Sequence, residues 1–189
     1  MQAIDTLLER RSAKTLTEPA PDESALNLLL ACASRAPDHG RLRPWRFIVI
    51  RGAARERLGE LMADQLRRKL PAATAEALQR ERQKALRAPL IVVVAAVYNA
   101  DARIPPVEQL LAAGAAAQNI MLAATALGFG AMWKTGDAAY DDTVKVTLGL
   151  TPGDGIVGFM YLGTPPADGV PPPVQAEWQD RVSYWSGES

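Results

Sequence analysis

Residues 90–97, Leu-Ile-Val-Val-Val-Ala-Ala-Val, form an uninterrupted apolar run directly after Pro89. The run has strand length and no polar residue alternates through it, so it reads as a central strand whose two faces are both covered. The remaining segments offer the covering helices. Ile4, Leu7 and Leu8 share one helical face near the N-terminus. Pro19 and Pro21 then break the chain, and Asp22 is placed to cap a second helix with a stripe of Leu26, Leu29, Leu30 and Ala33 that ends before Pro37. Residues 45–50 read as a strand stopped at Gly52, and 53–87 as two surface helices separated at Pro71. Residues 129–133 and 156–162 read as further strands. Between them Asp141 or Asp142 caps a short helix that runs through Leu148 to Gly149. The order α, α, β, α, α, β, α, β, α, β predicts an α+β three-layer sandwich, with helices on both faces of a small mixed sheet.

Between Gln109 and Trp133 no residue is charged, which raises the question of a membrane span. Gln109, Gln118, Asn119 and Thr125 interrupt the segment too often for a continuous apolar run of about eighteen residues, so a helix buried in protein is expected instead. Along it Leu110, Gly114, Ala117, Met121, Ala124 and Gly128 recur at steps of four and three. Small residues on such a seam permit close helix contact, either in the core or across a subunit interface, and a homodimer is expected. Gly128 is placed as the glycine that ends the helix.

The 189 residues read as one domain, 1–189, with residues 164–189 as an extended C-terminal arm whose end, from Trp178 to Trp185, needs a partner surface. Lys plus Arg and Asp plus Glu both number 21, so no global basic field points to nucleic acid. Local arginine clusters point to a small anion instead. Cys32 is the single cysteine, which excludes an intrachain disulfide, and on the second helix it reads as a small buried hydrophobe. The start, Met1-Gln2-Ala3-Ile4-Asp5, lacks the basic and apolar regions of an export signal, so a cytoplasmic location is expected.

Three segments carry the candidate chemistry. Arg10-Arg11-Ser12 and Arg35-Ala36-Pro37-Asp38-His39 offer forked donors, a hydroxyl and an imidazole suited to phosphate and sugar oxygens. The stretch from Leu127 to Gly136 adds Gly128, Gly130, Trp133, Lys134 and Thr135, a turn with an aromatic and a cation beside it. Taken singly, each has another reading: Arg10 and Arg11 suit the C-terminal dipole of the first helix, His39 a turn, Trp133 the core and Lys134 solvent.

Other chemistries are excluded. His39 is the only histidine, so no site with several imidazoles forms in one chain, and no metal is expected. No G-x-S-x-G elbow and no G-x-x-x-x-G-K-[ST] loop occurs, and Gly128 and Gly130 follow a helix without the third glycine of a dinucleotide fingerprint. A phosphate-bearing ligand without a protein nucleophile suggests that a cofactor carries the reaction. A flavin suits the pattern better than pyridoxal phosphate, for which Lys134 is the nearest Schiff-base candidate.

With Arg10-Arg11-Ser12, Arg35-Ala36-Pro37-Asp38-His39 followed by Pro44-Trp45, Leu127-Gly128-Phe129-Gly130 with Trp133-Lys134-Thr135-Gly136, and the strand from Val157 to Gly163 leading into Thr164-Pro165, the chain resembles the FMN-dependent nitroreductase family, in particular its short YdjA-like branch. The resemblance spans nearly the whole chain. It implies a homodimer with FMN at the subunit interface, reduced by NADPH or NADH and reoxidised by a nitroaromatic, quinone or similar electron-poor acceptor in a ping-pong cycle. The chemistry would run on flavin N5 with no catalytic side chain. It further implies that Arg10, Arg11 and Ser12 contact FMN, that Arg35 and His39 reach it from the other subunit, and that Trp133, Lys134 and Thr135 line its ring. Nicotinamide nucleotide contacts are implied at Ala123, Ala124, Thr125, Ala126, Leu127 and Gly128. Relatives commonly carry Arg where this chain has Lys134, a point charge in place of a fork. Another flavin reaction on the same fold, dehalogenation or flavin fragmentation, and a non-catalytic FMN carrier or sensor stand as alternatives.

Overall fold

The computed structural model describes residues 2–166, 172 and 177–187. Four strands, β1 (Trp45–Arg51), β2 (Leu90–Ala96), β3 (Gly130–Lys134) and β4 (Gly155–Gly163), form one sheet in the order β1-β2-β4-β3. All seven residues of β2 are buried. Their side chains alternate between two apolar clusters, as the two-residue period of a strand requires. Ile91, Val93 and Ala95 join Phe159 and Tyr161 on one face, whereas Leu90, Val92 and Val94 join Met160 and Leu162 on the other.

Helices α3 (Ala53–Lys69), α4 (Ala75–Lys84) and α6 (Asp142–Thr147) belong to the first face, and α2 (Glu23–Ala33) and α5 (Pro106–Ala126) to the second. The element order matches the expected alternation. α3 and α4 touch at Gly59, where a Cβ would stand 2.6 Å from the Arg82 carbonyl oxygen, so the helix pair closes only around a residue without a side chain. α2 starts where Asp22 accepts a hydrogen bond from the Ala25 N–H at 2.8 Å. Of the two candidate caps for α6, Asp141 is the one used, accepting from the Val144 N–H at 2.9 Å.

The expectation of a mixed sheet needs correction: every neighbouring pair of strands is antiparallel. The helix pair α3–α4 carries the chain back to the end it left, which turns β2 against β1. The single crossover through α5 does leave β2 and β3 running in one direction, but β4 inserts between them and pairs antiparallel with both. Among the described residues the one parallel contact at the sheet is an isolated bridge between Ser12 and Ala131.

α5 is a core helix with eight buried residues, among them Ala117, Met121 and Ala124 of the small-residue seam, while Leu110 stays 38% exposed. No helix among the described residues is long and apolar enough to cross a membrane. Gln109, which interrupts the apolar sequence, is buried and fastens the loop before the helix. Its amide donates to the Asn99 and Ile104 carbonyls at 3.2 and 3.0 Å and accepts from the Asn99 N–H at 2.9 Å.

One helix face is left bare, and one expectation fails on packing. The apolar face of α1 (Ala3–Glu9) is not covered by its own chain: Ile4, Leu7 and Leu8 are 64%, 51% and 73% exposed, and Thr6 is the one buried residue of the helix. Cys32 is half-buried rather than buried, because its side of α2 opens on a groove shared with α1 and α5. Of the expected C-terminal arm, residues 167–171, 173–176 and 188–189 lie outside the described residues. Thr164 pairs with Thr17, Gln179–Arg181 form one 3₁₀ turn, and Trp178, Tyr184 and Trp185 are exposed.

Candidate functional site

β3 organises the site. Strand alternation puts Ala131 and Trp133 on the α2–α5 side and Met132 on the α3–α4 side, and Lys134 follows Met132 on that side. Trp133 is half-buried and donates its indole N–H to the Val157 carbonyl at 3.1 Å. Alongside the start of β3 runs the segment after α1: Ser12 bridges Ala131, and the Ala13 N–H donates to the Ala131 carbonyl at 3.0 Å. Arg11 donates from Nε to the Glu9 carbonyl at 3.2 Å and lines a recess of about 170 Å³ with Thr125, Gly128, Phe129 and Gly130. The Arg10-Arg11-Ser12 cluster therefore lies against the beginning of the strand whose end carries Trp133 and Lys134. Lys14, in the bend that follows, is an exposed third cation on this segment.

At the far end of β3 a cavity of about 330 Å³ opens toward α3 and α4. Lys134, Thr135 and Gly136 line one side, Lys84 and Arg87 another, and Tyr161 of β4 faces it between them. Gly136 adopts φ +83°, a backbone conformation that costs other residues energy, and so turns the chain sharply past the cavity. The loop beyond is tied to the end of α3 by Lys69–Asp137 at 2.6 Å and Arg68–Asp141 at 2.8 Å. Burial raises the Asp141 carboxyl, but the Val144 N–H and the Arg68 guanidinium outweigh it and hold the group below its ordinary value. Burial pushes the Tyr161 phenol up to about 12, against the opposing pull of Arg87.

A strand of five residues spans about 16 Å, so cations at one end of β3 and a ring-sized cavity at the other suit an elongated ligand with a phosphate and a planar head. The residues thus fit a phosphorylated flavin in charge and reach. Arg35 and His39 line neither the recess nor the cavity. Arg35 faces the groove of about 470 Å³ formed with Leu7, Cys32, Ala123 and Ala126, and His39 Nδ1 lies 2.6 Å from Glu108 Oε2 at the start of α5.

The end of α5 closes as the sequence reading expects, with Gly128 at φ +83° and the Phe129 N–H donating to the Ala124 carbonyl at 2.9 Å. Ala124 is wholly buried, Ala123 is half-buried, and the Thr125 hydroxyl donates to the Met121 carbonyl at 3.0 Å, whereas Ala126, Leu127 and Gly128 are exposed. Sequence reasoning missed Lys84, Arg87 and Tyr161. The two cations sit in a stretch patterned like a solvated face, and only the register of β4, which sets Tyr161 opposite Met132, reveals that they share a cavity with Lys134.

The Nitroreductase family profile matches residues 7–164. The chain is 40% identical over 166 residues to the Putative NAD(P)H nitroreductase YdjA of Escherichia coli (strain K12), covering 87% of this chain and 89% of that one. It is 30% identical over 165 residues to the Putative NAD(P)H nitroreductase YfhC of Bacillus subtilis (strain 168), covering 85% and 83%. Among solved structures, a nitroreductase-like family protein from Bacillus cereus superposes with a TM-score of 0.82 at 26% identity over 99% of this chain and 97% of its own. A Desulfovibrio desulfuricans protein described as a "putative nitroreductase in complex with FMN" superposes with a TM-score of 0.75 at 25% identity, over 98% and 97%. The α+β sandwich with a cation-lined β3 is the frame of a redox enzyme. The chain belongs to the Nitroreductase family, a family of oxidoreductases.

Proposed function

We propose that this chain is an FMN-dependent oxidoreductase that takes electrons from NADPH or NADH and passes them to nitroaromatics, quinones or similar electron-poor acceptors. The observation that carries the reading is the Arg10-Arg11-Ser12 segment lying along β3, with the donor-lined cavity at the strand's other end, in a chain whose relatives include an FMN complex. Bound FMN supplies hydride chemistry at its ring. The chain supplies grip and orientation: Arg10, Arg11 and Ser12 hold the phosphate and ribityl oxygens, and Trp133, Lys134 and Thr135 border the ring. Residues 123–128 serve the nicotinamide nucleotide, chiefly through the accessible Ala126, Leu127 and Gly128. One open pocket serving reductant and acceptor in turn gives ping-pong kinetics.

The working unit in this reading is a homodimer. Ile4, Leu7, Leu8, Val107 and Leu111 are each more than half exposed, an apolar area that a second copy would cover. Arg35 and His39, remote from β3 in their own chain, then serve the partner's FMN.

The test is direct. The purified protein is expected to be yellow, to release FMN on denaturation, and to lose its flavin absorbance within a stopped-flow trace on mixing with NADPH or NADH without oxygen. A colourless protein that takes up no FMN from excess, or a flavin left oxidised by both nucleotides, sinks the reading.

A further inference from the structure

His39 is fixed from three directions, although its side chain is 68% exposed. Its Nδ1 lies 2.6 Å from Glu108 Oε2, in the first turn of α5. A carboxylate only accepts hydrogen bonds, so the proton of this bond belongs to the imidazole Nδ1. The backbone beside it is equally constrained. Gly40, Arg41 and Arg43 adopt φ of +70°, +55° and +49°, in the left-handed region that costs residues with a side chain energy. Gly40 lies so close to Ile104 that a Cβ would overlap the Ile104 Cδ1, and the Asp38 carboxylate accepts the Arg43 N–H at 2.7 Å. Strain of this kind persists only where neighbouring contacts impose it, and it gathers at ligand clamps. An exposed ion pair contributes little stability, so what the His39–Glu108 contact adds to the fold does not account for it.

We propose that Glu108 is a positioning residue: by taking the Nδ1 proton it fixes the tautomer and rotation of the His39 ring and presents Nε2 as the atom that meets a ligand. The two nitrogens stand on opposite edges of the ring, so a bond at Nδ1 leaves Nε2 turned away from α5. In the neutral ring that nitrogen is an acceptor for a ligand hydroxyl or N–H. The inference rests on the flavin reading above, in which His39 serves the FMN of the partner subunit. Glu108 itself touches no flavin. Its contribution is to order the ring before the ligand arrives, so that binding does not have to.

His39 is the only histidine, so a single imidazole gives the whole nitrogen-15 histidine spectrum of the full-length protein. Wild type, Glu108→Ala and Glu108→Ser are compared in that spectrum at about pH 8.5, where an ordinary imidazole is neutral. The serine variant, too short to reach the ring, serves should Glu108→Ala fold poorly. FMN dissociation constants are measured for the same proteins and again in a His39→Ala background.

The expected wild-type ring carries its proton on Nδ1, and the Glu108 variants show a mixture of both tautomers. Loss of Glu108 is expected to raise the FMN dissociation constant about three- to tenfold when His39 is present, and by less than about twofold when it is absent. The same tautomer state in wild type and variants overturns the proposal while the flavin reading stands. So does an FMN affinity that Glu108 variants leave unchanged, or one that falls equally with and without His39. If the wild type binds no FMN, the flavin reading fails on its own, and the nitrogen spectrum alone decides whether Glu108 sets the ring.

Discussion

The indole of Trp133 lies across Gly158, so that a Cβ placed on this glycine would overlap the indole Nε1. The same nitrogen is pinned by its hydrogen bond to the neighbouring Val157 carbonyl. Glycine in the centre of a strand ordinarily weakens it. Here its bare surface lets the indole edge approach β4 closely and fixes the residue that leads into Lys134 and Thr135.

Gly158→Ala is therefore expected to cost about 1–3 kcal/mol through overpacking, lowering Tm by several degrees. Because Trp133 must move, FMN affinity falls with it. Thermal unfolding of the variant, together with a flavin titration, checks both; an unchanged Tm and unchanged affinity would remove the proposed role of this contact.

Arg10→Ala is expected to weaken FMN binding by about 1.5–3 kcal/mol, roughly 10- to 150-fold in dissociation constant, by loss of a charge-assisted contact to phosphate. Arg10→Lys keeps the charge but not the fork, and falls between. Fluorescence titration of free FMN reads the series. Wild-type affinity in the alanine variant would take Arg10 out of the site.

Asp141 gives the fold an acid-sensitive latch. Its carboxyl is depressed in the folded protein, with burial opposing and the Val144 N–H and Arg68 prevailing. A depressed carboxylate contributes stability that is fully present above its unfolded pKa of about 3.9 and is lost as pH falls through the folded value. Asp141→Ala should cost about 0.5–2 kcal/mol at pH 7, most of it the helix cap. The gap between wild type and variant should shrink in acid. Urea unfolding at pH 7 and pH 3 measures it, and a gap that widens in acid contradicts the assignment.

Gln109→Leu leaves the Asn99 N–H and the Asn99 and Ile104 carbonyls without their partner, at a cost of about 1–3 kcal/mol. Hydrogen exchange should accelerate at the Asn99 amide and through residues 97–105, with β2 little affected. Uniform exchange across the chain would show that the clip is not local.

Leu8→Lys places a charge on the uncovered face of α1 and is expected to shift the protein from dimer to monomer in sedimentation, with FMN lost in parallel. A variant that sediments like the wild type and keeps its flavin would mean that this face is not the interface.

Much of the architecture was legible in the chain because its elements are punctuated. Pro21, Pro44, Pro71, Pro89 and Pro105 stand before or between elements, and Gly52 and Gly128 end two of them. The buried strand at 90–96 announced both helical layers. What stayed hidden were relations between distant segments. Nothing local says that β4 slips between β2 and β3, so strand direction is not encoded in the local pattern.

The site followed the same division. Arg10, Ser12, Trp133 and Lys134 were visible as short motifs, and the bridge at Ala131 joins the first pair of them to the strand of the second. The motif at Arg35 and His39 was equally visible, yet its own chain keeps it away from β3. Lys84, at the end of α4, and Arg87, in the bend after it, carry no signal of their own, since a cation in a polar stretch looks the same whether it faces water or a pocket. Tyr161 was hidden by parity: only pairing with Met132 decides which layer its ring enters.

The insertion of β4 between β2 and β3 governs how the molecule must assemble. Until β4 joins the sheet, β3 possesses no ladder partner and β2 is paired along one edge only. The wall of the candidate site is thus the last piece to become firm, and a chain halted before β4 would display an unfinished apolar ribbon.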